Sequence, residues 1–105
     1  MITRNVTLKL KANSAPEFTK IIEEQILPLL RKQRGFRDEI TFLAPERSEA
    51  LAISFWDLKG DAEAYNSTAY PEVLKTLSKV VEGTPKVETF EVANSTFHKI
   101  AAKGA

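Results

Sequence analysis

The first ten residues alternate between apolar and polar side chains. The apolar positions share one parity, at Ile2, Val6, Leu8 and Leu10. Arg4 has the same parity and is the one polar residue among them. A period of two places successive side chains on opposite faces of a strand. The pattern therefore predicts a half-buried first strand in which Arg4 is the single discordant residue.

A helical period follows this strand. Its apolar side chains recur every three or four positions, at Phe18, Ile21, Ile22, Ile26, Leu29 and Leu30. Ser14 and Glu17 have the spacing of a capping box at the start of the helix. Pro28 lies inside the pattern and removes one intrahelical hydrogen bond, so we expect a kink or break near residues 24–27. Gly35 tolerates the left-handed conformation that ends a helix, and it predicts a direct reversal into a strand.

Two alternating segments after Gly35 predict a β-hairpin. The first covers residues 36–43 and the second about residues 50–57, with a polar turn between them. In the first segment, one face is expected to carry Phe36, Asp38, Ile40 and Phe42. In the second, one face carries Leu51, Ile53 and Phe55, and the other carries Ala52, Ser54 and Trp56. Apolar residues on both faces predict that both faces of this strand are covered.

The remaining pattern predicts an interrupted helix and a long last strand. The helix begins at Gly60, is interrupted around residues 67–69 and continues on an apolar stripe to Gly83. Residues 86–100 contain no glycine or proline and keep an alternating, β-rich pattern. A strand of about fifteen residues is far longer than the usual five or six. We therefore expect it to extend beyond its own sheet.

The element order β-α-β-β-α-β predicts an α+β domain of the ferredoxin-like type. In this fold, four antiparallel strands form one sheet and the helices lie on one face of it. A chain of 105 residues has the usual size of one domain. We assign residues 1–100 to this single domain and residues 101–105 to a loose C-terminal tail.

Composition excludes several classes of partner and cofactor. Fifteen Lys and Arg against fourteen Asp and Glu give a net charge of +1 with the signs interspersed, so neither nucleic acid nor an anionic membrane is an expected partner. The chain has no cysteine and one histidine, which excludes thiolate metal sites and a two-histidine site within one protomer. Since the G-x-G-x-x-G, G-x-x-x-x-G-K-S/T and H-E-x-x-H motifs are absent, we expect no cofactor and no metal.

No apolar run approaches the ~20 residues of a membrane span and the N-terminus has no signal-peptide core, which predicts a cytoplasmic protein.

Five sequence segments, taken together, are similar to a known family. They are LPLLRKQRGF, AISFWD, DAEAY, YPEVLKTLSKVVEG and VETFEVANSTFH, and together with the N-terminal strand they span nearly the whole chain. The set resembles the antibiotic biosynthesis monooxygenase family of dimeric α/β barrels. This resemblance implies a homodimer in which two sheets pack to form a barrel. It also implies a pocket for a small-molecule ligand between the sheet and the helices of each protomer.

The resemblance is incomplete at the polar positions. Family members often have an acidic residue two positions before the tryptophan of the third strand, and histidines nine and fourteen positions after it. This chain retains the tryptophan as Trp56, and the other positions hold Ser54, Tyr65 and Tyr70. The polar chemistry expected from the family is therefore carried here by hydroxyl groups.

The haem-degrading branch of the family is a poor match. It uses an asparagine on the first strand, a tryptophan on a helix and an axial histidine. The corresponding positions here are Val6, Tyr65 and Lys75, while Asn5 lies one residue off and faces the other way. We do not expect this protein to degrade haem.

The cofactor-independent branch implies a chemistry that needs no cofactor motif. In that branch the deprotonated substrate reduces dioxygen itself, and the protein supplies a dry pocket, a proton-transfer group and donors for the developing oxyanion. The resemblance thus implies a monooxygenase acting on a small aromatic or enolisable substrate. Its candidate catalytic residues are Trp56, Tyr65, Tyr70 and His98, and we expect the first three to line one cavity between sheet and helices.

Other interpretations of the same residues stay open. Each aromatic residue taken alone is typical of an ordinary core position with its polar atom in water, and His98 is typical of a surface or interface position. One alternative function is a small-molecule-binding or isomerase-like dimer without oxygen chemistry. Another is a purely structural dimer.

The long last strand is a second reason to predict a homodimer. Fifteen residues at ~3.3 Å each span nearly ~50 Å, more than a domain of this size pairs within its own sheet. An unpaired edge of that length invites aggregation, and a two-fold dimer would cover it. We expect the dimer to bury roughly 2,000 Å² or more, with Phe90, Val92 and Phe97 near the contact.

Overall fold

The computed structural model describes residues 1–97. Its elements in chain order are β1 (Ile2–Leu10), α1 (Ala15–Ile21), a π-helical segment (Ile22–Ile26), α2 (Leu27–Arg31), β2 (Phe36–Ala44), a 3-10 turn (Pro45–Arg47), β3 (Glu49–Trp56), α3 (Lys59–Thr68), α4 (Tyr70–Leu77) and β4 (Val81–Glu91). His98, the predicted domain end at residue 100 and the predicted tail at 101–105 lie outside the described residues.

The four strands form one antiparallel sheet in the order β2-β3-β1-β4. The helices lie on one face of this sheet, where their buried apolar side chains pack against those of β1 and β3. The predicted ferredoxin-like α+β fold is therefore confirmed. Within residues 1–97, no helix has both the length and the apolar character needed to cross a membrane.

β1 lies in the middle of the sheet and carries the core on one face. Val6, Leu8 and Leu10 are buried under the helices, as the alternation predicted. Arg4 faces the same side and is only 3% exposed. Residues directly opposite in an antiparallel pair share a face, so Ser54 of β3 and Thr89 of β4 lie on either side of Arg4.

The first helical region is interrupted as the proline predicted. The π-helical segment ends two residues before Pro28, and a π-bulge is a common way to accommodate a break in the hydrogen-bond ladder. Gly35 has a φ of +78°, which confirms the left-handed corner that leads into β2. The predicted capping box is wrong, however. Ser14 stands at the N-cap, but its hydroxyl lies 3.5 Å from the carbonyl oxygen of Ala12 and caps no helix N–H.

A β-bulge changes which side chains of β2 face the helices. Phe36 pairs with Trp56, and the next paired residue, Asp38, is opposite Phe55, so Arg37 is the extra residue. Beyond the bulge, Glu39 shares the helix-facing side with Phe36. The prediction that Phe36 and Asp38 share a face is therefore wrong, because one extra residue reverses the alternation.

β4 begins earlier and ends earlier than predicted. The apolar residues Val80 and Val81 do not continue the helix: α4 ends at Leu77, and β4 starts at Val81. Gly83 lies within β4 with a φ of +67°, where the pairing with β1 shifts register. β4 has 11 residues and pairs with β1 at Val81 and Glu82 and again from Lys86 to Glu91, and residues 92–97 have no regular secondary structure. The predicted fifteen-residue strand that outruns its sheet is wrong.

The second face of the sheet, which we call the open face, is not covered within the protomer. Cross-strand pairing places three large apolar side chains there with 39%, 50% and 51% exposure, namely Ile40, Phe42 and Phe90. Leu51, Ile53 and Phe55 of β3 are half-buried on the same face. The expectation that both faces of β3 are covered holds only for the helix side of the protomer.

Candidate functional site

The three aromatic residues predicted from the sequence form a continuous row. The ring centroids of Trp56 and Tyr65 are 5.0 Å apart, and those of Tyr65 and Tyr70 are 6.1 Å apart. All three lie on the helix side of the sheet, because Trp56 ends β3 while α3 and α4 carry the two tyrosines. The predicted convergence of a strand end and two helices is observed.

The row borders a cavity of about 40 Å³ between the sheet and the helices. One end is lined by aliphatic side chains from β1, the first helical region and α4. The other end holds all the polar side chains of the wall, which are Arg4, Glu39, Ser54, Tyr65 and Tyr70. The cavity is therefore apolar with one polar end.

Trp56 lies behind this wall and does not line the cavity. It is fully buried, and its Nε1 donates a hydrogen bond of 2.9 Å to the hydroxyl of Ser54. A buried indole N–H normally has such a partner. Trp56 therefore orients Ser54 at the polar end and supports the Tyr65 ring, and the prediction that it lines the cavity is wrong.

Arg4 is the one cation in the cavity wall. Its Nη2 donates a hydrogen bond of 2.6 Å to Oδ1 of Asn66 on α3. Its guanidinium carbon lies 4.0 Å from the ring centroid of Tyr70 and 5.2 Å from that of Tyr65. Within residues 1–97, no carboxylate lies at ion-pair distance from it. A buried charge without an opposite charge costs several kcal/mol, of which two cation–π contacts return about 1–4.

The two tyrosines hold their protons at neutral pH. Burial raises the pKa of Tyr65 to about 12, although the nearby Arg4 guanidinium opposes the shift. Burial also raises the pKa of Tyr70, again opposed by Arg4. Both hydroxyls are therefore suited to donate hydrogen bonds or protons, and neither is suited to act as a base.

The hydroxyl of Tyr70 has no hydrogen-bond partner among the described residues. The residue is 9% exposed and its side chain lines the cavity. Arg4 lies over its ring and is close enough to affect its pKa, but no hydrogen bond of ordinary geometry joins the two groups. Since buried polar groups are nearly always paired, this hydroxyl is available to a ligand.

Glu39 provides the carboxyl group of the polar end. Burial raises the pKa of Glu39, and the hydroxyl of Thr41, which donates a 2.6 Å hydrogen bond to its Oε2, opposes the shift. A carboxylate with a raised pKa is a stronger base than an ordinary one. Glu39 is therefore the candidate proton acceptor of the cavity.

Three further sequence predictions concern His98, the positions compared with haem-degrading proteins, and metal binding. His98 lies outside the described residues, so its candidate catalytic role stays a prediction. Of the positions that argue against haem degradation, Val6 and Tyr65 line the cavity, and Lys75 is exposed on α4. Residues 1–97 contain no cluster of three or more His, Asp or Glu side chains arranged to hold a metal ion.

Solved structures share this architecture. The monooxygenase ActVA-Orf6 of Streptomyces coelicolor, in complex with nanaomycin D, has a TM-score of 0.77 over 91% of this chain and 90% of its own, at 12% identity. SnoaB, a cofactor-independent oxygenase of Streptomyces nogalater, has a TM-score of 0.74 over 90% of this chain and 95% of its own, at 13% identity. A candidate antibiotic biosynthesis monooxygenase from Bordetella bronchiseptica has a TM-score of 0.73 over 86% of this chain and 94% of its own, at 15% identity. This chain has the antibiotic biosynthesis monooxygenase fold.

The similarity is one of fold, since identities of 12% to 15% are too low to carry activity across. No protein-family model matches the sequence, and no curated protein matches it significantly. In this chain, the antibiotic biosynthesis monooxygenase fold encloses the cavity between its sheet and its helices, where the resemblance implied a ligand pocket. The fold expected from the resemblance is confirmed.

Sequence reasoning missed two groups of the polar end. Arg4 was recognised as discordant on its strand, and that discordance was the available signal, because a charged residue on a core face needs a partner or a function. Glu39 gave no such signal. Its position depends on the bulge at Arg37, which alternation alone does not reveal.

Proposed function

We propose that the protein is a cofactor-independent monooxygenase that oxidises a small phenolic or enolisable molecule in the cavity between sheet and helices. The observation that carries the proposal is the buried, cavity-lining hydroxyl of Tyr70, which has no partner in residues 1–97. Such a hydroxyl is suited to donate to a ligand oxygen. The proposal is supported by the shared fold of SnoaB, a cofactor-independent oxygenase, and of ActVA-Orf6, a monooxygenase in complex with nanaomycin D.

The polar groups suit the steps of such a reaction. Glu39 accepts the proton of the substrate, and the hydroxyls of Tyr65 and Tyr70 donate to the resulting oxyanion beside the positive charge of Arg4. The deprotonated substrate then transfers electrons to dioxygen. One oxygen atom enters the substrate and the other leaves as water, so the substrate supplies all four electrons.

The cavity must widen to admit such a substrate. A volume of about 40 Å³ holds about three water molecules. A cavity of ~150 Å³ takes up one benzene, so even a single ring needs more room.

Oxygen uptake tests the proposal. Purified protein with a chelator is mixed with a panel of phenols, naphthols and quinols, and dioxygen consumption and product mass are measured. We expect one substrate class to consume dioxygen and gain one oxygen atom. Tyr65→Phe should lower turnover by about 10²-fold or more, because general acid–base groups contribute that much.

Thr68→Val is the matched control on the same helix. Its exposed hydroxyl donates to the carbonyl oxygen of Ala64 and does not reach the cavity, so turnover should be unchanged. A compound that binds tightly without oxygen uptake would instead establish the alternative of a small-molecule-binding protein. Full activity of Tyr65→Phe would show that Tyr65 is only a wall residue.

A further inference from the structure

A second, larger space lies on the other side of Arg4. We call it the groove: it runs between α3 and β4, has a volume of about 430 Å³ and is open to solvent. Its walls include Ala62, Asn66 and Ser67 of α3 and Val87 and Thr89 of β4. Arg4 lines both the groove and the cavity. The Arg4–Asn66 hydrogen bond therefore stands at the boundary between the two.

Arg4 has far more binding capacity than the described residues use. A guanidinium carries five N–H donors, and the hydrogen bond to Asn66 is the single side-chain bond that Arg4 makes within residues 1–97. Glu39 also lines the cavity but is not at ion-pair distance from Arg4. Glu63 lines the groove, and its Oε1 lies 3.9 Å from Nζ of Lys59 and so forms an ion pair with that residue. A buried cation with free donors requires an anion for electrostatic balance.

We propose that Arg4 is the anion-binding group of one ligand site that spans the cavity and the groove. An anionic oxygen of the ligand, from a carboxylate or a phenolate, binds the guanidinium and accepts the hydrogen bond of the Tyr70 hydroxyl. The apolar part of the ligand enters the cavity, and the remainder lies in the groove. The inference rests on the proposed function for the choice of cavity, but it concerns binding and requires no oxygen chemistry.

Binding of matched ligand pairs tests this site without turnover. Naphthoate is compared with naphthalenemethanol, and nitrophenolate with nitroanisole, by calorimetry under nitrogen. We expect the anionic member of at least one pair to bind about 10- to 100-fold more tightly than its neutral counterpart, as one charged hydrogen bond provides. The two pairs distinguish a carboxylate from a phenolate. Equal binding of anionic and neutral members in both pairs would overturn the proposal.

Variants of Arg4 then test whether this residue causes the tighter binding of the anionic ligands. Arg4→Gln should remove the preference for the anion, and Arg4→Lys should retain part of it, because the charge remains but the fork is lost. Arg47→Gln, an exposed arginine in the 3-10 turn, should behave like the unaltered protein. A preference that survives in folded Arg4→Gln, verified by circular dichroism, would contradict the role of Arg4. If that variant does not fold, the same measurement is made on Arg4→Lys, where an undiminished preference for both anions would also count against the guanidinium.

The groove is tested on α3 with one pair of substitutions. Ser67→Trp places a large ring in the groove and should weaken binding of an extended anionic ligand such as a biaryl carboxylate by roughly tenfold. Ala64→Trp places the same ring on an exposed position of α3 that lines neither space, and should leave binding unchanged. Equal affinity of the two variants would exclude the groove. If the protein consumes no dioxygen but still binds the anionic ligands more tightly, the monooxygenase proposal is refuted and the anion-binding site is retained.

Discussion

At the scale of single residues, the chemistry of the cavity depends on which groups hold protons. Burial raises the pKa of both tyrosines and of Glu39, so each favours its neutral form. For the tyrosines this secures two donors across the whole neutral range. For Glu39 it moves the loss of a proton towards neutral pH, where a base is useful.

The raised pKa of Glu39 predicts a pH-dependent stability that can be measured without a substrate. The folded state binds this proton more tightly than the unfolded state does, so stability falls as the pH rises from about 4.5 through the raised pKa. Glu39→Gln removes this loss. We expect the variant to melt at a higher temperature than the unaltered protein above this range, with the difference disappearing at lower pH.

Glu23→Gln is the control for that experiment, since Glu23 is exposed on the π-helical segment and does not line the cavity. Its melting temperature should follow that of the unaltered protein at every pH. A Glu39→Gln difference that does not change with pH would show that the two side chains differ in packing and that ionisation of Glu39 has no part in it.

The aromatic row and Arg4 show what a sequence pattern does and does not reveal at this scale. The row of Trp56, Tyr65 and Tyr70 was predictable, because alternation fixes the face of a strand residue and helical spacing fixes the face of a helix residue. The burial and charge environment of Arg4 was not, since it depends on Asn66, which is 62 positions away in sequence.

At the scale of elements, the corner at Gly35 joins the first helical region to the edge strand β2. Its φ of +78° is open to glycine at no cost, and a Cβ atom there would collide with the carboxylate of Asp61. Rotation of the Asp61 side chain moves its carboxylate but not its Cβ, which would lie 2.7 Å from the added Cβ, so the backbone would also have to shift. The left-handed backbone itself is unfavourable for alanine by about 1–2 kcal/mol. This corner and an irregularity in the first helical region were both predictable from the sequence, because Gly35 and Pro28 act through their own backbone. That the irregularity is a π-helical segment was not predicted.

We expect Gly35→Ala to lower the free energy of unfolding by more than about 1–2 kcal/mol in a urea titration, because the clash with Asp61 adds to the cost of the left-handed backbone. Gly60→Ala is the matched control. Gly60 lies in the first turn of α3, and an added Cβ meets nothing within 4 Å, so this change should stabilise the protein by roughly 0.5–1 kcal/mol. Equal effects of the two substitutions would contradict the assigned role of the corner.

The boundary between α4 and β4 could not be predicted for a different reason. Val80 and Val81 continue the apolar stripe of the helix and equally suit the start of a strand, so periodicity does not separate the two. The pairing with β1 decides it, and that pairing includes the register shift beside Gly83. Local patterns carry no information about such long-range contacts.

At the scale of the whole molecule, the open face bears on assembly. The length of β4 does not support a dimer, because β4 ends at Glu91 and pairs with β1 on both sides of its register shift. The open face provides a different argument, because Ile40 and Phe42 lie there beside Ile53 and Leu51, and an exposed apolar patch of this kind is typical of an interaction site. Phe90 lies at the other edge of this face, beyond Thr3 of β1. The homodimer, and the expected positions of Val92 and Phe97 near its contact, remain predictions.

We expect sedimentation equilibrium at low micromolar concentration to give twice the mass of the 11.7 kDa protomer. Phe90→Asp should dissociate or unfold this dimer, because it places a charge on the apolar open face. Leu58→Asp is the control: Leu58 is 65% exposed at the start of α3, away from the open face, and its variant should stay dimeric. A protomer mass for the unaltered protein, or a folded dimer of Phe90→Asp, would refute the prediction.

The bulge in β2 determines whether the cavity has a carboxyl group. If Arg37 paired regularly with Phe55, the rest of the strand would turn over, so that Ile40 would face the helices and Glu39 would join the open face. A slip of one residue in pairing, with no substitution anywhere, would thus leave the cavity without its carboxyl group and add a charge to the open face. In this fold, the pairing at one bulge can alter both the chemistry inside and the association outside.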